Sequence, residues 1–399
     1  MQRRARNGLR TGLAVLFIAL VAEGTAAAQT RIRAPYLDIL WDYYDGNCQQ
    51  AIDDVATWPV DGMEDRAFKD LDTAVLTAVG GRVKVLTEGQ RLTLVKIWAK
   101  LTPIAALLHT EAGWQLLQKK EYKAGKQHLL LARAMVDWPR WRFIHEYLPD
   151  ENEKRAYKQL RREVYLAIAW LLQTSLEEAT LKEHLELARK NLPDDPEIWL
   201  ASGSAEELYA DPTMLKRLTR TDTRVPRDAW ELTMRDRFLE KAEEYHRGAI
   251  ARDPTLAEAH VRLGRVLQQR GKLADARATL EAARRMESPS EMGYLATLFL
   301  AAVVEEADRE AKKQSNTQSP QLEVYEELVK KWPECQSAHL GLSRAYSARG
   351  NAPAALEALK PLWKEQQQRA CFDAWWVYQS GQAWRLKALL QALRERVVS

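Results

Sequence analysis

The sequence predicts an all-α protein assembled from antiparallel helix hairpins that stack on one another. Gly and Pro are scarce, with 18 and 15 among 399 residues, while Ala, Leu, Glu, Lys and Arg are abundant. These five residue types lose little side-chain freedom in a helix, so the composition favours helices. No run of alternating β-branched residues bounded by turns appears, and we therefore expect no β-strands.

An internal repeat is the clearest signal in the chain. Residues 257–285 align with residues 336–363, and apolar residues recur at three- and four-residue spacing in both copies. This spacing predicts two amphipathic helices in each copy. The aligned pairs are His260 with His339, Leu263 with Leu342, Leu267 with Tyr346, Gly271 with Gly350, Ala276 with Ala355, and Leu280 with Leu359.

A glycine and an alanine in each copy predict the geometry of the hairpin. Gly271 and Gly350 stand where the first helix ends, and a positive φ angle at that position is favourable for glycine. Ala276 and Ala355 follow in the second helix, where two antiparallel helices must approach closely. Each copy is therefore predicted to form a helix, a tight turn and a second helix.

These features resemble the 34-residue tetratricopeptide repeat. Gly264 and Ala283 match small-residue positions of that family, whereas His260 and His339 replace its usual Trp. Two further departures are Ser343 for Gly and Leu362 for Ala. The resemblance implies a right-handed α-solenoid whose first helices line a concave groove for a protein or peptide partner.

The resemblance extends more weakly along the rest of the chain. Ala242, Ala249 and Pro254 look like the end of a preceding repeat, and residues 291–333 look like a repeat stretched by a polar insertion at 312–320. Other repeat-like elements are Trp199 with Gly203, residues 120–135, and the turn at residues 46–51. We expect divergent helical hairpins over 29–190 and the solenoid over 191–399, with a C-terminal helix that caps its last hydrophobic face.

The first 28 residues have the pattern of a secretory signal peptide. Basic residues precede an apolar run at 13–22, and Ala26 and Ala28 supply the small residues of a cleavage site before Gln29. An uncleaved membrane anchor is the alternative, but a run of about ten apolar residues is too short to span a bilayer. We therefore expect a periplasmic or secreted bacterial protein with no transmembrane segment after signal cleavage.

The charge of the chain argues against a nucleic-acid partner. The formal net charge is +4, and most of the excess lies in the first 28 residues, where four Arg outnumber one Glu. The processed chain would carry about +1, with acidic and basic residues interleaved. A nucleic-acid-binding protein normally keeps a basic face.

No motif for catalysis, a cofactor or a metal appears in the sequence. His145 and Glu146 resemble part of a zinc-protease helix, but the second His of that motif is missing. Phosphate-binding loops, nucleophile elbows and Cys-x-x-Cys motifs are also missing from the sequence. Cys48, Cys335 and Cys371 are too few for a disulfide framework and are expected mainly as buried small residues, although one bridged pair stays open.

Fourteen Trp residues invite two interpretations. Most are expected to pack between helices, as the repeat pattern requires. Trp375, Trp376 and Trp384 could cap the core or form a contact patch, and we favour the cap.

The resemblance also implies which residues face the groove. Arg265 and Arg344 share a repeat position, so two guanidinium groups could hold carboxylates of one partner, with solvated arginines as the alternative. The Lys and Asn of the family's chaperone-type carboxylate clamp are missing. The implied partner-binding residues are Glu258, Val261, Arg265, Gln268, Ser337, Leu340, Arg344 and Ser347.

The leading functional prediction is an exported, non-enzymatic scaffold that holds a protein or peptide segment in its groove. One alternative is a helical carbohydrate-binding or carbohydrate-active envelope protein, which requires carboxylates and Trp side chains in a single pocket. Another is a cell-envelope assembly factor, which would be recovered with the membrane fraction.

Overall fold

A computed structural model describes residues 35–57, 87–138, 140–175, 178–218, 226–286, 291–312, 321–365 and 373–398. Within these ranges the regular structure is helical and includes no strand, which confirms the all-α prediction. None of the described helices is both long enough and apolar enough to cross a membrane. The predicted signal peptide, residues 1–28, lies outside the described ranges.

The chain divides into two compact units. Unit 1 comprises Met1–Ser175 together with Leu386–Ser399, and unit 2 comprises Leu176–Arg385. The boundary that we expected after residue 190 therefore falls inside unit 2, at the end of one of its helices. Among the described residues, the first six helices lie in unit 1 and are α1 (Pro35–Tyr44), α2 (Cys48–Ala56), α3 (Glu88–Gln118), α4 (Tyr122–Asp137), α5 (Arg140–Tyr147) and α6 (Glu151–Ser175).

Two helix hairpins build the start of unit 1. The turn between α1 and α2 contains Gly46 at a φ of 94°, and Ala51 lies buried in the helix that follows. Between α3 and α4 the turn residue with positive φ is Lys120. A Cβ atom on Gly113 of α3 would lie 3.1 Å from the carbonyl oxygen of Gly125 in α4, so the two glycines allow these helices to touch. The turn predicted at 46–51 is present, and the repeat-like element predicted at 120–135 corresponds to α4.

Unit 2 is a succession of hairpins. Each first helix packs on its second helix, which packs on the next first helix. The first helices are α8 (Pro196–Tyr209), α11 (Ala257–Gln269), α13 (Glu291–Lys312) and α15 (Gln336–Ala348). Their second helices are α10 (Arg227–Arg252), α12 (Leu273–Met286), α14 (Gln321–Lys331) and α16 (Ala352–Glu365). The other α-helices in the described part of unit 2 are α7 (Glu178–Asn191), α9 (Pro212–Leu215) and α17 (Ala374–Gln379).

The repeat register predicted from the sequence is correct. Gly271 and Gly350 have φ angles of 71° and 73°, and Ala276 and Ala355 are buried. A Cβ atom on Gly264 would lie 2.4 Å from Cγ of Leu280, so only glycine lets α11 and α12 approach as they do.

The helix at the end of the sequence, α18 (Leu386–Val398), differs from the expected cap. It belongs to unit 1, where it packs on α3 and α6 and buries Leu386, Leu390 and Leu393. Two ion pairs accompany this packing: Arg394 pairs with Glu111, and Arg396 pairs with Glu163. The amphipathic sequence of α18 predicted a helix with one buried face. It did not specify which helices pack against that face.

Candidate partner-binding site

Residues 373–385, which we call the strap, lie across the first helices of unit 2. The strap contains α17 and a short 3-10 turn at Ala383–Arg385. It contacts all four first helices, and we call the surface that it contacts the first-helix face. The residues of this face that touch the strap are Glu207 of α8, Glu258, Arg262 and Arg265 of α11, Tyr294 and Phe299 of α13, and Ser337 of α15.

Asp373 fixes the start of the strap. One carboxylate oxygen accepts a hydrogen bond from the backbone N–H of Ser337 at 2.7 Å, and the other accepts from Tyr294 Oη at 3.2 Å. Asp373 is also the N-cap of α17, because it accepts from the backbone N–H of Trp375 at 2.9 Å. One buried side chain thus joins the strap to α13 and α15 and starts the strap helix.

Two aromatic rings occupy the middle of the strap. Trp375 and Tyr378 are stacked at 5.9 Å between ring centroids, and both meet Phe299 edge to face, at 5.5 and 4.9 Å. The guanidinium of Arg262 lies 4.6 Å from the Tyr378 ring centroid, and that of Arg265 lies 5.6 Å from the Trp375 ring centroid. Cations over aromatic faces are attracted by the ring quadrupole, so both arginines favour these ring positions.

Glu207 has two hydrogen-bond partners and one ion-pair partner in a largely enclosed position. The Tyr378 hydroxyl donates to it, His246 Nε2 lies 2.5 Å from Oε1, and Arg262 Nη1 lies 3.6 Å from the same oxygen. Burial alone would raise the pKa of Glu207, but Arg262 and the hydrogen bonds from His246 and Tyr378 hold it below its ordinary value. Burial raises the pKa of Tyr378 well above its ordinary value, so this phenol remains protonated.

Arg262 and Glu258 hold the end of the strap. Arg262, which is 2% exposed, donates to Glu258 at 2.9 Å and to the carbonyl oxygen of Gly381 at 3.3 Å. Glu258 also accepts from Gln382 at 3.3 Å and pairs with Arg385. Two carboxylates, Glu207 and Glu258, therefore face two guanidinium groups, so the enclosed charges balance.

Four of the eight predicted groove residues lie in α11, and the structure corrects their expected position. Val261 is completely buried, Glu258 and Gln268 are buried, and Arg265 is half-buried beside the strap. Gln268 accepts from Arg265 at 2.6 Å and donates to Glu306 at 3.2 Å. These side chains do not line an open groove, because the helix core and the strap cover them.

The other four predicted groove residues lie along one side of α15. Ser337 is half-buried under the start of the strap, whereas Leu340, Arg344 and Ser347 are exposed. Arg344 pairs with Glu305 of α13 at 2.9 Å, so its guanidinium already has a carboxylate partner. We call Leu340, Arg344 and Ser347 the open stripe.

Trp375, Trp376 and Trp384 do not pack together as one cluster. Trp375 packs inward on Phe299, whereas Trp376 and Trp384 are 58% and 39% exposed. Trp375 is therefore part of the strap's inner surface, and the other two rings face outward.

Sequence reasoning placed Glu258, Arg265 and Ser337 among the partner-binding residues but missed Glu207, Arg262, Tyr294 and Phe299, which also contact the strap. Glu258 and Arg262 are spaced four apart in α11, a signal for an ion pair that the sequence did contain. Two other strap contacts, Glu207 with Tyr378 and Tyr294 with Asp373, join residues that are far apart in the chain. Helical periodicity gives no information on such long-range pairs.

A second group of buried polar side chains lies in unit 1. His109 Nε2 is 3.0 Å from Tyr36 Oη, and its Nδ1 is 3.0 Å from His128 Nδ1. Burial lowers the pKa of both histidines, to about 4 for His128. Across the described residues, no group of three or more His, Cys, Asp or Glu side chains is placed to hold a metal ion. Cys48 and Cys335 are buried thiols, and Cys371 lies outside the described residues.

Comparison with known proteins supports the repeat assignment. Two models of the tetratricopeptide repeat match residues 239–296 and 322–361. No curated protein matches the sequence. Similar solved structures include the MamA protein, at 18% identity and a TM-score of 0.37 over 53% of this chain and 97% of that one. Another is the human IFIT1 dimer with m7Gppp-AAAA, at 17% identity and a TM-score of 0.31 over 65% of this chain and 68% of that one.

Both structural likenesses are too distant to carry a function to this chain. The repeat matches fall on α10 to α16, where the turn glycines and close-approach residues also have the predicted geometry. Residues 239–296 and 322–361 therefore contain tetratricopeptide repeats.

Proposed function

We propose that this protein is a non-enzymatic scaffold that holds a protein segment on the first-helix face of unit 2. The observation that carries the proposal is the strap itself. A short helix with irregular ends already lies across four first helices, held through its backbone and its side chains. The face therefore has the chemistry needed to bind a peptide.

The open stripe lies on α15 beside the first-helix face, and its side chains are exposed. Leu340 and Arg344 are one helical turn apart and offer an apolar contact next to a charge. A partner with a carboxylate would compete with Glu305 for the Arg344 guanidinium. Leu340 and Arg344 therefore favour a protein segment that has both an apolar and an acidic residue.

We also propose that the protein is exported from a bacterial cell. The basic, apolar and small-residue pattern of residues 1–28 supports this localisation. N-terminal sequencing of the protein from fractionated cells tests it, with Gln29 or a residue within two of it expected as the first residue. Recovery of the extracytoplasmic protein with residues 1–28 intact would contradict the proposal.

The scaffold function is tested by crosslinking the processed protein in its native envelope and identifying what it captures. Binding of the captured partner is then measured for the wild type, for Leu340→Asp/Arg344→Glu and for the control Arg277→Glu. Arg277 is exposed on the second helix α12, so its replacement should leave binding unchanged. We expect at least a tenfold weaker affinity for the double variant, and equal affinities for all three proteins would contradict the proposed site.

The carbohydrate alternative requires carboxylates and Trp side chains in a single pocket. A cleft in unit 2 contains the carboxylates of Glu178 and Glu206 and the rings of Tyr209, Phe238 and Tyr245. Its lining includes no Trp, so the combination that this alternative requires is not met there.

A further inference from the structure

The contacts between the strap and the first-helix face are to a large extent polar. Asp373, Tyr378, Gly381, Gln382 and Arg385 each form a hydrogen bond or an ion pair with a side chain or backbone group of the first helices. A segment that served only to complete a hydrophobic core would meet an apolar surface. This surface carries the charges of Glu207, Glu258 and Arg262 in addition to the apolar ring of Phe299.

The charged side chains of Glu207, Glu258 and Arg262 can be hydrated when the strap does not cover them. Burying an ion costs free energy unless it is paired, whereas an exposed ion is hydrated. Without the strap, Arg262 keeps Glu258 and Glu207 as partners, and Glu207 keeps His246. The first-helix face can therefore remain folded when the strap is absent.

The strap covers the face as a single layer. Trp376, Gln379 and Ser380 point away from the first helices and are exposed. Within the described residues, the side-chain oxygen of Gln382 is buried without a hydrogen-bond partner. An unsatisfied buried acceptor weakens binding, so the strap is not an optimal ligand for this face.

We propose that the strap is an internal peptide ligand of the first-helix face, and that the protein partner displaces it with a segment of the same chemistry. This inference rests on the scaffold function proposed above and adds the class of partner and its regulation. The strap occupies the site until a competing segment replaces it.

The strap defines what that competing segment must contain. An acidic residue satisfies the N–H of Ser337 and the hydroxyl of Tyr294. Aromatic residues two and five positions later fill the places of Trp375 and Tyr378 against Phe299. A basic residue at the position of Arg385 pairs with Glu258.

A synthetic peptide with the sequence of residues 373–385 tests the proposal on the full-length protein. Its affinity is measured for the wild type and for Trp375→Ala/Tyr378→Ala, a variant whose own strap is weakened. We expect at least tenfold tighter binding to the variant, since the internal competitor is impaired. A folded variant that binds the peptide no better than the wild type does would overturn the proposal.

Two altered peptides form a matched pair. The peptide with Trp375→Ala loses an inward ring, and the peptide with Trp376→Ala loses the neighbouring outward ring. We expect the first to bind at least tenfold more weakly and the second to bind within about twofold of the unaltered peptide. Equal losses for both peptides would mean that binding does not use the strap's geometry.

Hydrogen exchange on the wild type covers the case in which the strap variant fails to fold. An excess of the peptide should raise amide exchange in residues 374–385 of the protein while α11 and α13 stay protected. Unchanged exchange in the strap would show that it is a fixed part of the fold and would overturn the proposal.

The scaffold proposal and the strap proposal can fail separately. A captured partner that binds the wild type and the strap variant equally supports the scaffold and rejects displacement. Displacement by the peptide, combined with capture of no partner, supports an internal ligand and rejects the scaffold.

Discussion

Three ring nitrogens in unit 2 make the same contact with a proline carbonyl six residues earlier in the chain. Trp199 Nε1 lies 2.9 Å from Pro193 O, His260 Nε2 lies 3.0 Å from Pro254 O, and His339 Nε2 lies 2.7 Å from Pro333 O. Both side chains offer a ring N–H at this distance from the backbone. His can therefore replace the Trp typical of this repeat position while retaining the hydrogen bond that joins the first helix to the loop before it.

We predict that His260→Phe destabilises the protein by about 0.5–1.5 kcal/mol, the usual net contribution of one hydrogen bond. Phe keeps a ring at this position but has no N–H. The matched variant His260→Trp restores a donor and should be the more stable of the two. Urea denaturation of both variants measures the difference, and a Phe variant as stable as the Trp variant would contradict this role.

The buried His109 and His128 predict a pH dependence for unit 1. Burial lowers both pKa values in the folded protein, whereas an unfolded His has a pKa of about 6.5. The unfolded state therefore binds more protons as the pH falls below about 6.5. Stability is fully present above that pH and decreases below it, by up to about 1.4 kcal/mol per pH unit for each His. For His128 this window ends at a pH of about 4.

Denaturation of the wild type and of His109→Gln/His128→Gln between pH 7 and pH 5 tests this dependence. The double variant should lose less stability on acidification than the wild type. Gln391→Ala, which replaces an exposed residue that does not ionise, serves as the control and should keep the wild-type pH dependence. An identical slope for the double variant and the wild type would exclude these two histidines as its source.

The two helices of a hairpin pack closely because small residues lie at their contact. Ala276 is completely buried, and Gly264 of the facing helix leaves room for Leu280. We predict that Ala276→Trp destabilises the protein by about 1–3 kcal/mol or more through overpacking. Ala274→Trp on the exposed side of the same helix is the control. Thermal unfolding should show a lower Tm for the first variant only, and similar Tm values would contradict the repeat register.

Elements with strong local periodicity could be predicted from the sequence, and the contacts between distant elements could not. The glycine turns at 271 and 350 and the buried alanines at 276 and 355 follow from local spacing, and the structure confirms them. The strap was not predicted, because Asp373 and Tyr378 find partners far away in the sequence. For the same reason Glu258 was assigned to an open groove although the strap covers it.

Unit 1 combines residues from two distant parts of the sequence, because α18 packs with helices that precede unit 2. Its leucines are buried against α3 and α6, and its arginines pair with Glu111 and Glu163. We predict that Leu390→Ala destabilises unit 1 by about 2–5 kcal/mol, as expected for a buried Leu. Gln391→Ala, at the exposed next position, is the control. Faster hydrogen exchange in α3 and α6 should appear with Leu390→Ala alone, and unchanged exchange would show that α18 is dispensable there.

This division of unit 1 between the two ends of the sequence has a consequence for synthesis on the ribosome. All of unit 2, Leu176–Arg385, is translated after α6 and before α18. At about 5–20 residues per second, that interval lasts on the order of 10–40 s. During it, the surfaces of α3 and α6 that later bind Leu386, Leu390 and Leu393 are exposed on the nascent chain. Unit 2 can therefore complete its fold before unit 1, and the nascent N-terminal helices must avoid aggregation until the last helix is made.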